Sequence, residues 1–86
     1  MASIAQSIPL WSIRLNRDEI VCRIVVHDDA AVGRVHEVRL SFNGTRFHSR
    51  MMDSSESAGV EAQTRLDDYL GRGWVVVPPD VDSVHH

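Results

Sequence analysis

Residues 53–79 read DSSESAGVEAQTRLDDYLGRGWVVVPP, and this stretch decides the fold. At 100° per residue, Ala58, Gly59, Ala62, Leu66, Tyr69 and Leu70 fall within one stripe, with Ser57, Glu61, Thr64 and Asp68 opposite. That is the pattern of a helix with one face to lay against something else. Asp53 is the expected N-cap, with Glu56 three residues on, and both acids suit the positive end of the helix dipole. Val60 sits off the stripe and Gly59 costs about 1 kcal/mol relative to alanine, so the first turns are the weak part. Glu61–Arg65 and Asp68–Arg72 are i,i+4 pairs in the favourable order, worth ~0.2–0.5 kcal/mol each. Gly71 and Gly73 bracket the stop, and either suits the left-handed position after a helix. Residues 74–77, Trp-Val-Val-Val, then form a strand that Pro78-Pro79 ends. Three valines without alternation predict a strand covered on both faces, or an edge hidden by another element.

Upstream lie the strands this helix would cover. Residues 8–15 alternate Trp11, Ile13 and Leu15 with Ser12 and Arg14. Asn16-Arg17-Asp18 is a turn. Residues 19–27 put Ile20, Cys22, Ile24 and Val26 on one face and Val21, Arg23, Val25 and His27 on the other. A loop over residues 28–34 follows, with Gly33 near its end. Residues 35–42 turn Val38, Leu40 and Phe42 inward and Glu37, Arg39 and Ser41 outward. Asn43-Gly44 is the strongest turn signal in the chain, since both residues tolerate φ > 0 as a two-residue type I′ hairpin requires. Residues 45–52 return as a fourth strand, with Phe47, Ser49 and Met51 expected inward and Arg46, His48 and Arg50 outward. Short connections make the four strands an antiparallel meander. The expected class is α+β: a four-stranded antiparallel meander, one helix on one face and a C-terminal fifth strand, ββββαβ, in the order 5-1-2-3-4. Residues 1–79 form the single domain, residues 1–7 are a frayed lead-in, and residues 80–86 are a flexible polar tail in which His85-His86 fits a native end or a tag remnant equally.

A hydrophobic fraction of 43% with 24% charged residues over 86 positions belongs to one globular domain and not to a disordered chain. A single cysteine, Cys22, permits no intrachain disulfide, which fits a reducing compartment. No signal peptide or apolar run of about 20 residues is evident, so no membrane role is expected and the chain reads as cytoplasmic. All nine basic residues are arginine. GC-rich coding bias and selection for bidentate contacts both give that result. Residues 1–52 carry seven Arg against five acids, and residues 53–86 two Arg against seven, so +2 and −5 make up the net −3. The strand half is basic and the helix half acidic.

The uncovered face of the sheet is the informative surface. On these registers it gathers Arg14, Arg23, Arg39, Arg46, His48 and Arg50, with Ser12, Ser41 and Glu37 between. Such a face clamps phosphates or an acidic protein partner, or is simply the wet side of a sheet. The acidic net charge and the lack of an aromatic residue to stack bases weigh against nucleic acid, and a one-residue slip in any strand would scatter the cluster. His27-Asp28-Asp29 with His36 suits a metal by residue type, but not by any known ligand spacing. No nucleophile–base motif or phosphate-cradling loop is present, and Cys22 lies on an apolar face, so neither catalysis nor a cofactor nor a small-molecule substrate is expected. Trp11 and Trp74 fit packing on adjacent strands, their indole N–H groups needing partners.

The run Leu70-x-Arg72-Gly73-Trp74-Val75-Val76 resembles helix-stop-strand junctions of small bacterial domains, and no family is assigned on it. The sequence therefore predicts a small non-enzymatic interaction module that binds a protein partner or forms a homodimer, through an edge strand or the open face. The alternative is a nucleic-acid-binding accessory protein using the arginine face. About five phosphate contacts would then give a log–log salt slope near −4.5.

Overall fold

The structure, a computed structural model, describes residues 2–78. Met1, Pro79 and the expected tail 80–86 lie outside the described residues. The elements are β1 (Ala2–Leu15), β2 (Asp18–Asp29), β3 (Gly33–Phe42), β4 (Thr45–Met52), α1 (Ser55–Leu70) and β5 (Val75–Val76). The strands form one antiparallel sheet in the order β4-β3-β2-β1-β5, with α1 laid on one face, as the sequence predicts.

The hairpins come from local chemistry. Asn43 at φ 50° and Gly44 at φ 89° make the tight β3–β4 turn, where a β-branched residue would be strained. Asn43 also ties that turn to the neighbouring one. Its Oδ1 accepts from the Glu19 N–H at 2.8 Å and its Nδ2 donates to Asp18 Oδ1 at 3.1 Å. Asn16 at φ 57° turns β1 into β2.

The core lies between sheet and helix. Ile13, Ile20, Cys22, Ile24, Val26, Val38 and Leu40 from three strands meet Ala58 and Ala62 of α1, with Trp11, Met52, Leu66, Tyr69 and Trp74 packed around them. Full burial of one such aliphatic side chain contributes about 1.5–3 kcal/mol, so this layer outweighs the surface ion pairs at ~0–1 kcal/mol each. Two alanines facing the sheet let the helix approach closely. The Trp11 indole N–H donates to the Ala62 carbonyl at 3.2 Å, and Trp74 meets Tyr69 edge-on at 5.7 Å. Both expected i,i+4 pairs form, Arg65–Glu61 at 2.8 Å and Arg72–Asp68 at 3.1 Å.

Several expectations are corrected. β1 begins at Ala2, so residues 2–7 are strand and not a frayed lead-in. The N-cap is Ser54, not Asp53. Its hydroxyl accepts from the Ser57 N–H at 3.1 Å. The inward stripe of α1 is rotated, so Gly59 and Leu70 are exposed while Glu61 turns toward the sheet, where Arg50 reaches it at 3.3 Å. Of the two glycines expected to suit the left-handed position, Gly73 takes it, as the sequence allows. β5 is two residues of exposed edge and not a covered strand. Val75 and Val76 are 65% and 46% exposed, and one more hydrogen bond, Val77 N–H to the Ser12 carbonyl at 2.8 Å, precedes Pro78.

Candidate interaction surfaces

Cross-strand register fixes the open face row by row. Ile4, His27 and Val35 form one row, Ser7, Val25, Glu37 and Met51 the next, then Pro9, Arg23, Arg39 and Ser49, then Ser12, Val21, Ser41 and Arg46, with Arg14 and Glu19 last. Of the six residues assigned to this face by sequence, Arg14, Arg23, Arg39 and Arg46 lie on it. His48 and Arg50 do not, which corrects the expectation. They pair with Leu40 and Val38, both core residues on the helix side. The cause is a β-bulge in β4, where the pairing skips from Arg46 to His48 and leaves Phe47 as an extra residue. One extra residue reverses the face of everything after it. Ser49 and Met51, expected inward, therefore face out. Phe47 at the bulge stands edge-on to Phe42, centroids 6.3 Å apart.

The organising group on the open face is Glu37, only 2% exposed. Its Oε1 accepts from Arg39 Nη2 at 2.8 Å and lies 2.8 Å from His27 Nε2. Its Oε2 accepts from Arg39 Nε at 3.1 Å and lies 3.6 Å from Arg46 Nη1. The Arg39 hydrogen bonds outweigh the cost of burial, with His27 adding to them, and hold the carboxyl down at about 2. Arg39 is pushed up in turn by the same pair. Around this knot the sheet has a shallow depression of about 480 Å³, bordered by His27, Arg46, Phe47, Ser49 and Met51. Sequence reading placed Glu37 merely between the arginines. Its i,i+2 spacing from Arg39 on one strand face was the signal that it sits at their centre.

The arginine face is thus partly neutralised. Arg14 lies 3.7 Å from Glu19, and Arg39 and Arg46 share Glu37. Among the described residues, Arg23 is the open-face arginine without a carboxylate partner, and it donates to Ser7 Oγ at 3.2 Å. His27 and His36 fall on opposite faces, since His27 bonds Glu37 while His36 pairs with Val26 and Met52 on the helix side. Burial pushes the Cys22 thiol up to about 12.

The sheet has two edges. The β4 edge carries Arg46, His48 and Arg50. The other edge is β1 wherever β5 does not cover it. β5 pairs only at Ile13 and Arg14, and Val77 takes the Ser12 carbonyl. From Ser3 to Leu10 every residue is exposed, including Ile4 at 60% and Leu10 at 42%, and no strand lies outside them among the described residues. Residues 1–13 contain no ionisable side chain. Bulges at Ala5 and Leu10 interrupt the pairing with β2, and Pro9 sits where no second neighbour needs its missing N–H.

No protein-family model, no curated protein and no solved structure matches the chain. Among the described residues, no helix is long and apolar enough to cross a membrane.

Proposed function

We propose that the chain is a non-enzymatic interaction module that self-associates, with the free stretch of β1 as the contact. One observation carries this reading: an eight-residue exposed edge with no charge on it, Ser3–Leu10. Exposed edges are blunted by charges, by proline and bulges or by a covering element, and among the described residues this one has neither a charge nor a covering element. Pro9 and the bulges at Ala5 and Leu10 limit the regular ladder to Gln6–Ile8, with Ile4 and Leu10 flanking it as apolar contacts. A second copy is the favoured occupant because antiparallel pairing of an edge with itself is closed by a two-fold axis and brings no like charges together. The β4 edge, paired with itself, would set Arg46 and Arg50 near their own copies. Covering Ile4, Ile8 and Leu10 would add up to about 1–2 kcal/mol per side chain to the backbone hydrogen bonds.

Nucleic acid is the weaker alternative. Arg14 and Arg39 are engaged by carboxylates, which leaves Arg23 and Arg46 for phosphate and a salt slope well short of −4.5. Size-exclusion chromatography with light scattering tests the leading reading. At about 100 μM the wild type should run at twice the mass of one chain. Ile4→Lys and Ile8→Lys should each return it to monomer with an unchanged circular dichroism spectrum. A wild type that is monomeric at that concentration overturns the reading.

A further inference from the structure

We infer that the depression beside Glu37 binds one carboxylate of an acidic partner protein, with Arg46 as the principal contact. Glu37 carries one negative charge against the two guanidiniums of Arg39 and Arg46, so the cluster keeps a surplus of one positive charge. Arg39 is committed, with two hydrogen bonds to Glu37. Arg46 is not. Its nearest approach to Glu37 is 3.6 Å, beyond hydrogen-bond length, and its side chain is 57% exposed. Its full fork of donors is therefore free for a second anion, while the pull of Glu37 holds it near the depression and lowers the entropy cost of binding.

The surroundings choose the ligand. Met51 and Phe47, 58% and 50% exposed, border the depression and make part of it apolar, which strengthens a charge-assisted bond and leaves room for the aliphatic neighbours of an acidic side chain. Ser49 offers a hydroxyl at the same margin. A single surplus charge matches a carboxylate better than a dianionic phosphate. Glu37 itself, fixed at the floor, repels the denser charge of a phosphodiester backbone. The site is on β3 and β4, across the sheet from the free edge of β1, so it does not depend on self-association and fails or stands apart from it.

Fluorescence anisotropy with a labelled Glu-Leu repeat octapeptide tests the site, with inorganic phosphate and a single-stranded oligonucleotide as parallel titrants. The peptide should bind wild type saturably. Arg46→Ala should weaken it about tenfold and Arg46→Lys less, because lysine keeps the charge without the fork. Arg46 is exposed at an edge, so both variants should melt with the wild type. Glu37→Gln, where it folds, should bind the peptide several-fold more tightly, the opposite of what a purely structural carboxylate gives. No saturation at 1 mM peptide, wild-type affinity in Arg46→Ala, or tighter binding of phosphate or oligonucleotide than of peptide would each overturn the assignment.

Discussion

Glu37 shows how one side chain sets the pH response of the molecule. Its carboxyl lies at about 2 in the folded state against an ordinary 4.5. As pH falls, the unfolded chain takes up this proton first. The stabilisation is therefore complete above about 4.5 and is lost as pH falls from there toward 2. Its size is on the order of 3 kcal/mol. Urea melts at pH 6, 4 and 2.5 should show this slope in the wild type and a flatter one in Glu37→Gln, and the two proteins should converge at the lowest pH. Cys22 gives a second local prediction. A buried thiol pushed up to about 12 is a poor nucleophile, so a disulfide reagent at pH 8 should leave it untouched in the native protein and label it at the rate of global unfolding. Labelling within seconds under native conditions would contradict its place in the core.

At the level of elements, the β4 bulge decides which side chains share a face. Deleting Phe47 restores strict alternation. Each residue after the bulge keeps the face it already has, so Met52 stays in the core, Arg50 keeps Glu61, and the deletion should cost only about 0.5–1.5 kcal/mol in chemical denaturation, the worth of the lost Phe42–Phe47 contact. Ser54→Ala removes the helix cap and should cost about 1 kcal/mol by the same measurement, with Asp53→Ala costing less. Strand order, the meander and the helix were legible because each rests on a local signal, such as Asn43-Gly44 or the 3.6-residue spacing of Ala58, Ala62, Leu66 and Tyr69. The bulge was not, because Phe47, Ser49 and Met51 read as plausibly inward as His48, Arg50 and Met52. Arg50 in particular looks like an outward residue until its partner Glu61, eleven positions away, is in view. The cap shifted by one because Asp53 and Ser54 are both good caps, and the hydroxyl at 54 meets the N–H of Ser57. The length of β1 was missed for a different reason. Residues 2–7 alternate weakly and read as a loose end, yet their neutrality is what makes a long strand edge notable.

The molecule as a whole is looser than its length requires. Its radius of gyration is 14.3 Å, where a compact chain of this size would have about 12 Å. The excess fits a sheet whose β1–β2 ribbon runs past the roof that α1 provides. The exposed isoleucines Ile4 and Ile8 belong to that part, so the lysine variants that abolish a dimer should leave the melting temperature of the dilute monomer within a few degrees. The antiparallel sense of β1 has one more outcome. Two antiparallel edges are related by an axis perpendicular to the sheet, so both helices of a pair end on one side and both Glu37 depressions on the other. Five strand spacings separate one β3 from its copy, about 24 Å. A ligand bearing two acidic patches at that separation would be gripped twice at once. Its apparent affinity should fall sharply in Ile4→Lys, while that of a ligand with a single patch stays put.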